Sequence, residues 1–282
     1  MIKGYIKNHE ILSFVFLTFV FSWTIWGILY SSSIGIIDNN IYKKHYVLLE
    51  CLGGSGPSIM SIIITAFLYK KNGLKELLFR LIKWRYNVVY YIIAIFGVPM
   101  ITYISYLVCR WVGFKGEVKF ITSPYFILGS FIGTLFLGGP LNEEIGWRGF
   151  LLLKFQKKLN QFWSSIAVGI IWACWHLPLF FIAGTNQYGY SFVLFMVNVV
   201  LLSIVITWIF NRAEGSLLLP ILFHTAYNTS TGIASGIDDF FVGKEHILTS
   251  KVYIYLGIFI IVVVFIVIDM FKQSKFSREM LY

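Results

Sequence analysis

Eight apolar runs, at 11–30, 46–69, 88–109, 125–141, 162–183, 191–210, 216–235 and 252–271, leave this chain little choice of fold. Each approaches the ~20 residues with which a helix crosses the hydrocarbon core of a bilayer. In that core every backbone N–H and C=O must find a partner inside the protein, which a helix provides within its own segment. The expected fold is therefore all-α: a polytopic membrane helix bundle of about eight transmembrane helices. The connections between runs are short, so residues 1–282 are expected to form a single integral membrane domain. Composition agrees, because only 13% of the residues are charged and 58% are hydrophobic, against about 25% charged in soluble domains. The first run, Ile11 to Tyr30, has no small-residue cleavage site and reads as a retained helix rather than a signal peptide.

Lys and Arg collect in alternate connections. With the N-terminus inside, the inner segments hold sixteen: Lys3, Lys7, the six from Lys70 to Arg85, Arg148, Lys154, Lys157, Lys158, Arg212, Lys272, Lys275 and Arg278. The outer ones hold seven: Lys43, Lys44, Arg110, Lys115, Lys119, Lys244 and Lys251. The positive-inside rule then puts both termini in the cytoplasm of a multi-pass cell-membrane protein. The net charge of +10 is read as loops and anionic headgroups, not as a nucleic-acid surface. Between Gly73 and Arg85, Leu74, Leu77, Leu78, Leu81 and Ile82 recur at helical spacing among Lys75, Arg80 and Lys83, which predicts a short basic amphipathic helix at the interface. Gly53, Gly54, Gly56 and Pro57 interrupt the second run, and such small residues let helices approach closely. Cys51, Cys109 and Cys174 match no zinc or redox spacing and read as buried hydrophobes. No internal repeat is visible, which weighs against a transporter of inverted halves.

Within these apolar runs stand a few groups that lipid does not tolerate. Glu143 and Glu144 are adjacent, with Arg148 close behind. A carboxylate at the bilayer centre costs roughly 2.5–3.5 kcal/mol on insertion scales, so an ionisable cluster there is a functional site by default. Glu144 and Arg148 are four apart, hence neighbours on one helix face. Glu143 points about 100° away and is the carboxylate able to face a cavity. Gly138, Gly139 and Pro140 suggest a helix start, whose dipole favours the acids. His176 follows Trp172 by four and precedes Pro178 by two, and His224 and Asn228 are again four apart. Alone, either histidine could be packing or interhelical glue, and Glu144 with Arg148 could be purely structural. Gathered together, a carboxylate, two imidazoles and a carboxamide can activate water and hold an oxyanion. His9, His45 and His246 fall outside the runs.

The order E-E-x-x-x-R (Glu143, Glu144, Arg148), aromatic-x-x-x-H (Trp172, His176) and H-x-x-x-N (His224, Asn228) resembles the CAAX protease and bacteriocin-processing (CPBP, Abi) family of intramembrane endopeptidases. The resemblance covers about residues 135–232, with GGSGPS at 53–58 similar to a weaker family feature. Trp172 stands where the family usually has Phe. The resemblance implies a protease in which Glu143 and His176 activate water, His224 and Asn228 hold the oxyanion, and Glu144 and Arg148 support them. Zinc held by Glu143, His176 and His224 is possible, since three N or O ligands suffice. A metal-free glutamate mechanism is favoured, because no HExxH is present and Asn228 is a poor zinc ligand. The implied partners are the lipid bilayer and a membrane-associated peptide or protein substrate. The Ile- and Lys-rich, Ala-poor composition suggests a bacterial chain, hence a pheromone, a bacteriocin leader or a membrane protein rather than a prenylated CAAX protein. Two other classes fit less well: a non-catalytic bacteriocin-immunity or signalling scaffold of the same fold, and an ion-coupled transporter.

Overall fold

The computed structural model describes residues 2–114, 119–120, 123–235 and 250–272. Lys115, Lys244, Lys275, Arg278 and His246 lie outside the described residues. After a short α1 (Ile2–Asn8), the long apolar helices are α2 (Glu10–Ser33), α3 (Asn39–Gly54), α4 (Gly56–Phe79), α5 (Val88–Trp111) and α6 (Pro124–Leu137). Next come α7 (Pro140–Gly146), a π-helical turn over Trp147–Leu152, α8 (Leu153–Gln156), α9 (Gln161–Trp175), a 3₁₀ turn over Leu177–Phe181, α10 (Phe192–Arg212), α11 (Leu218–Ile233) and α12 (Ser250–Lys272). Polar residues at run edges start several of them. The side chains of Asp38, Asn87 and Asn160 accept from backbone N–H groups of the first turns of α3, α5 and α9, satisfying donors that a helix leaves open. Apart from an antiparallel ladder of two residues on each side, Lys119–Phe120 with Ala234–Ser235, the described structure is helical.

Among the described residues, five helices are long and apolar enough to cross a membrane, and two bent pairs raise the number to seven. The pairs are Asn39–Gly54 with Gly56–Ile82, bent by 44°, and Pro124–Leu137 with Pro140–Gln156, bent by 41°. The chain is thus a multi-pass, all-α membrane protein. The apolar run at 216–235 is the exception in length. It forms α11, a helix of only 16 residues, packed against α5, α6, α7 and α10.

The glycine-rich interruption both bends and packs the second span. Gly53 and Gly56 lie against Trp26 and Ser22 of α2, and the Ser22 hydroxyl donates to the Gly53 carbonyl at 2.7 Å. Across the next contact, a Cβ on Gly146 would sit 2.5 Å from the Pro57 carbonyl, so α4 and α7 touch backbone to backbone.

Farther on, α4 breaks at Lys70 (φ 56°, ψ −151°), and the basic amphipathic segment begins there. Its helix stops at Phe79 and tightens to a 3₁₀ turn over Arg80–Ile82, shorter than the sequence pattern predicts. Arg80 and Lys83 donate to the carbonyls of Gly215 and Glu214 in the α10–α11 turn, each at 3.3 Å. Those bonds tether the segment to the bundle. Leu77 joins the core while Leu78, Phe79, Ile82 and Trp84 stay exposed, so the apolar residues divide between protein and surroundings.

Candidate functional site

The two adjacent glutamates part company at the start of α7. Gly139 adopts φ +97°, a conformation open to glycine at little cost, and turns the chain out of α6. Pro140 then occupies the first helical position, where its fixed φ suits the helix and its missing N–H is not needed. This places Glu143 in the first turn, near the positive end of the helix dipole. A Cβ on residue 139 would lie 2.3 Å from Glu143 Oε1, so the absent side chain is the space the carboxylate uses. One residue on, Glu144 does not line the cavity and is completely buried.

Glu144 is the hub of a buried network. Its Oε1 accepts from Arg148 Nη1 at 2.9 Å and from His224 Nδ1 at 2.9 Å. Arg148, also completely buried, sits in the π-helical turn with its guanidinium carbon 4.7 Å from the centre of the Trp172 ring. The pair expected from the spacing is present, but it is not a two-pronged fork. Among the described residues Arg148 Nε and Nη2 have no hydrogen-bond partner, and the indole face takes up the cation instead.

Trp172, on α9, connects this support to the carboxylate that lines the cavity. Its indole N–H donates to Glu143 Oε2 at 2.5 Å, and its backbone carbonyl lies 2.9 Å from His176 Nδ1. A carbonyl only accepts, so Nδ1 of His176 carries the proton and Nε2 is the basic nitrogen of the neutral ring. His176 stands just past the end of α9, where Pro178 helps to switch the chain into the 3₁₀ turn, and its ring packs against Trp175 and Phe195 at 4.7 and 5.1 Å. Asn228, one turn after His224 on α11, donates from Nδ2 to the Gly138 carbonyl at 3.0 Å. That bond fixes α11 to the α6–α7 corner.

Glu143, His176, His224 and Asn228 all line one cavity of about 660 Å³, whereas Glu144 and Arg148 lie behind its wall. The groups can therefore meet a common guest. The zinc alternative fits this arrangement poorly. Among the described residues no three His, Cys, Asp or Glu side chains are placed to hold one metal ion. Both histidines commit Nδ1 to an acceptor, which leaves Nε2 as the nitrogen that a guest in the cavity could use.

Several residues of the cavity escaped the sequence reading. Asn198 of α10 donates to the Tyr227 hydroxyl at 2.5 Å, and its own Oδ1 is buried without a hydrogen-bond partner among the described residues. It was visible as a lone carboxamide in an apolar run. Glu50, an acid inside the second run, also lines the cavity, as does its neighbour Cys51. Cys51, Cys109 and Cys174 form no disulfide, and the Cys51 thiol donates to the Leu137 carbonyl at 3.3 Å.

Comparison with known proteins bears on the same region. Residues 124–230 match the family described as type II CAAX prenyl endopeptidase Rce1-like. The chain is also similar to CAAX prenyl protease 2 of Methanococcus maripaludis, with 28% identity over 242 residues covering 81% of this chain and 85% of that protein.

Proposed function

We propose, from the premise that this chain belongs to the CAAX prenyl endopeptidase (CPBP, Abi) family, that it hydrolyses a peptide bond of a membrane-associated protein or peptide in the cavity between α7, α9 and α11. Membership makes it an intramembrane protease. The assignment of chemistry to residues rests on one observation: His176 and His224 both tie down Nδ1 behind the wall while lining the same cavity as Glu143.

In this reading a water lies between Glu143 and His176. The Glu143 carboxylate removes its proton as the oxygen attacks the scissile carbonyl carbon, and His176 Nε2 accepts the other hydrogen bond and orients the lone pair. Negative charge gathers on the former carbonyl oxygen, where donors from His224 and Asn228 hold it. For His224 Nε2 to donate, the ring must carry its second proton, and Glu144 is the group that balances that charge. Collapse of the tetrahedral intermediate breaks the C–N bond, and the proton held by Glu143 passes to the leaving nitrogen. The products are a carboxylic acid and an amine, which become a carboxylate and an ammonium once the acid's proton passes to the amine. Donors of this type are worth about 10²–10³-fold in rate, and a general base about 10²–10⁴-fold.

The test is an assay in detergent with an internally quenched membrane peptide, alongside comparative proteomics of membranes and secreted peptides. Glu143→Gln and His176→Ala should each nearly abolish cleavage, and the uncut substrate should accumulate in cells carrying Glu143→Gln. No cleavage by the wild type in either experiment would make the chain a binding scaffold instead, and equal cleavage by wild type and Glu143→Gln would remove Glu143 from the chemistry.

A further inference from the structure

The substrate cavity has a second carboxylate, which has the Tyr46 hydroxyl beside it but no cation to balance it among the described residues. Glu50 lines the wall from α3, and among the described residues the lining includes Glu50 and Glu143 but no Lys or Arg. Glu143 is accounted for by the Trp172 indole N–H. Glu50 has no such neighbour of opposite sign: the ion pairs among the described residues join Arg80 to Glu76, Arg148 and His224 to Glu144, Lys154 to Glu10, and Arg212 to Asp269. An acid inside a span is ordinarily paired or turned toward a water-filled path. This one is turned toward the substrate cavity.

The wall beside Glu50 is aromatic. Trp26 donates its indole N–H to the Glu50 carbonyl at 3.2 Å, which fixes that stretch of α3 against α2. The Trp26 and Trp175 rings lie 4.8 Å apart and both line the cavity. A carboxylate in a cavity wall without a cation beside it is a site for an organic cation, because the acid supplies a charge-assisted hydrogen bond, and the two buried tryptophans stiffen the wall that carries it. Neither a neutral apolar side chain nor an anion would use it.

We propose that Glu50 is a specificity residue that binds a cationic group of the substrate, an Arg or Lys side chain or a free α-amino group, while the scissile bond lies at Glu143 and His176. The inference rests on the reading of the cavity as a peptide site. It assigns the substrate class that reading left open: a peptide with a positive charge on the Glu50 side of the cut.

The test compares peptides that differ in one group. Membrane peptides of one length carry Arg or its neutral isostere citrulline at successive positions, each with a free and an acetylated N-terminus. Binding to the full-length protein in non-ionic detergent is measured at low salt, separately from cleavage. The wild type should bind the best-placed Arg peptide roughly 10–100-fold more tightly than its citrulline twin, the range for a hydrogen bond to a charged group. Glu50→Gln should bring that ratio close to one. Glu50→Lys should reverse it in favour of a peptide with Glu at the same position, which also shows that the variant is folded. A preference that follows the free amine instead of Arg assigns the cation to the substrate N-terminus. Equal binding of the twins by the wild type, or an unchanged ratio in Glu50→Gln, overturns the proposal. Cleavage without charge preference would sink this inference and leave the protease reading intact. Charge preference without cleavage would do the opposite.

Discussion

One oxygen atom of Glu144 holds His224 in place: Oε1 accepts from His224 Nδ1 at 2.9 Å while also accepting from Arg148 Nη1 at the same distance. The bond links residues 80 positions apart in sequence and joins α11 to α7 through a fully buried charge. Its consequence is that Glu144, which does not line the cavity, controls a residue that does.

Glu144→Gln should therefore damage both stability and activity. It keeps the volume but leaves the Arg148 guanidinium buried without a counter-charge, and breaking a buried ion pair from one side typically costs about 3–5 kcal/mol. A thermal melt in detergent should fall by many degrees, and turnover of the protein that remains folded should fall as His224 loses its anchor. Wild-type melting and turnover in this variant would remove Glu144 from its supporting role.

Gly139→Ala tests the corner that makes room for Glu143. The added Cβ would meet Glu143 Oε1 at 2.3 Å, and the residue has φ +97°. At φ +97°, ψ −37° the residue lies outside the left-handed helical well, so a side chain there costs at least the roughly 1–2 kcal/mol of that well. Displacing the carboxylate is the larger effect. The expected result is a small drop in melting temperature with a loss of turnover approaching that of Glu143→Gln. A variant that melts lower yet cleaves normally would show that the carboxylate position is not critical.

The bundle was legible in the sequence because membrane spans are long, continuous signals, and so was the partition of Glu143 from Glu144, which follows from a rotation of about 100° per residue. What could not be read was contact between distant segments. Nothing in the spacing of Glu144 and His224 announces their hydrogen bond, and nothing in Trp172→His176 reveals that the indole reaches Glu143 on another helix. Arg148 reads as a forked partner, yet its position beside the Trp172 ring leaves it a single hydrogen bond to Glu144. Glu50 lies near the start of an apolar run, where an acid ordinarily faces headgroups, so its sequence position does not single it out. Only the 44° bend that follows it in the second span, and the packing of α3 on α2, bring it to the cavity. The shortness of α11 was hidden as well, since the run at 216–235 does not mark where its helix begins and ends.

Trp172→Phe separates the ring from its donor. Phenylalanine keeps an aromatic face beside Arg148 and His224 but removes the N–H that reaches Glu143 Oε2. A hydrogen bond to a charged group contributes about 1.5–3 kcal/mol, so kcat should fall by roughly 10–100-fold with little change in melting temperature. The control is Trp172→Ala, which also strips the ring from Arg148 and should unfold more easily. Unchanged kcat in Trp172→Phe would mean that Glu143 is held by its helix and by Gly139 alone.

Metal dependence can be settled on the purified wild type. Glu143, His176 and His224 are the donors a zinc ion would use, and both histidines keep Nε2 for one, but no three such groups converge among the described residues. A glutamate mechanism predicts that dialysis against a strong chelator leaves turnover of the quenched peptide unchanged and that elemental analysis finds no stoichiometric transition metal. It also predicts that added zinc gives no activation, and that excess zinc inhibits by tying up the two imidazoles. Zinc catalysis predicts the reverse: activity lost on chelation and restored at one equivalent, with Glu143→Gln, His176→Ala and His224→Ala each lowering bound metal. Loss of metal from those three variants together with loss of activity would make them ligands and replace water activation by Glu143 with activation at the metal.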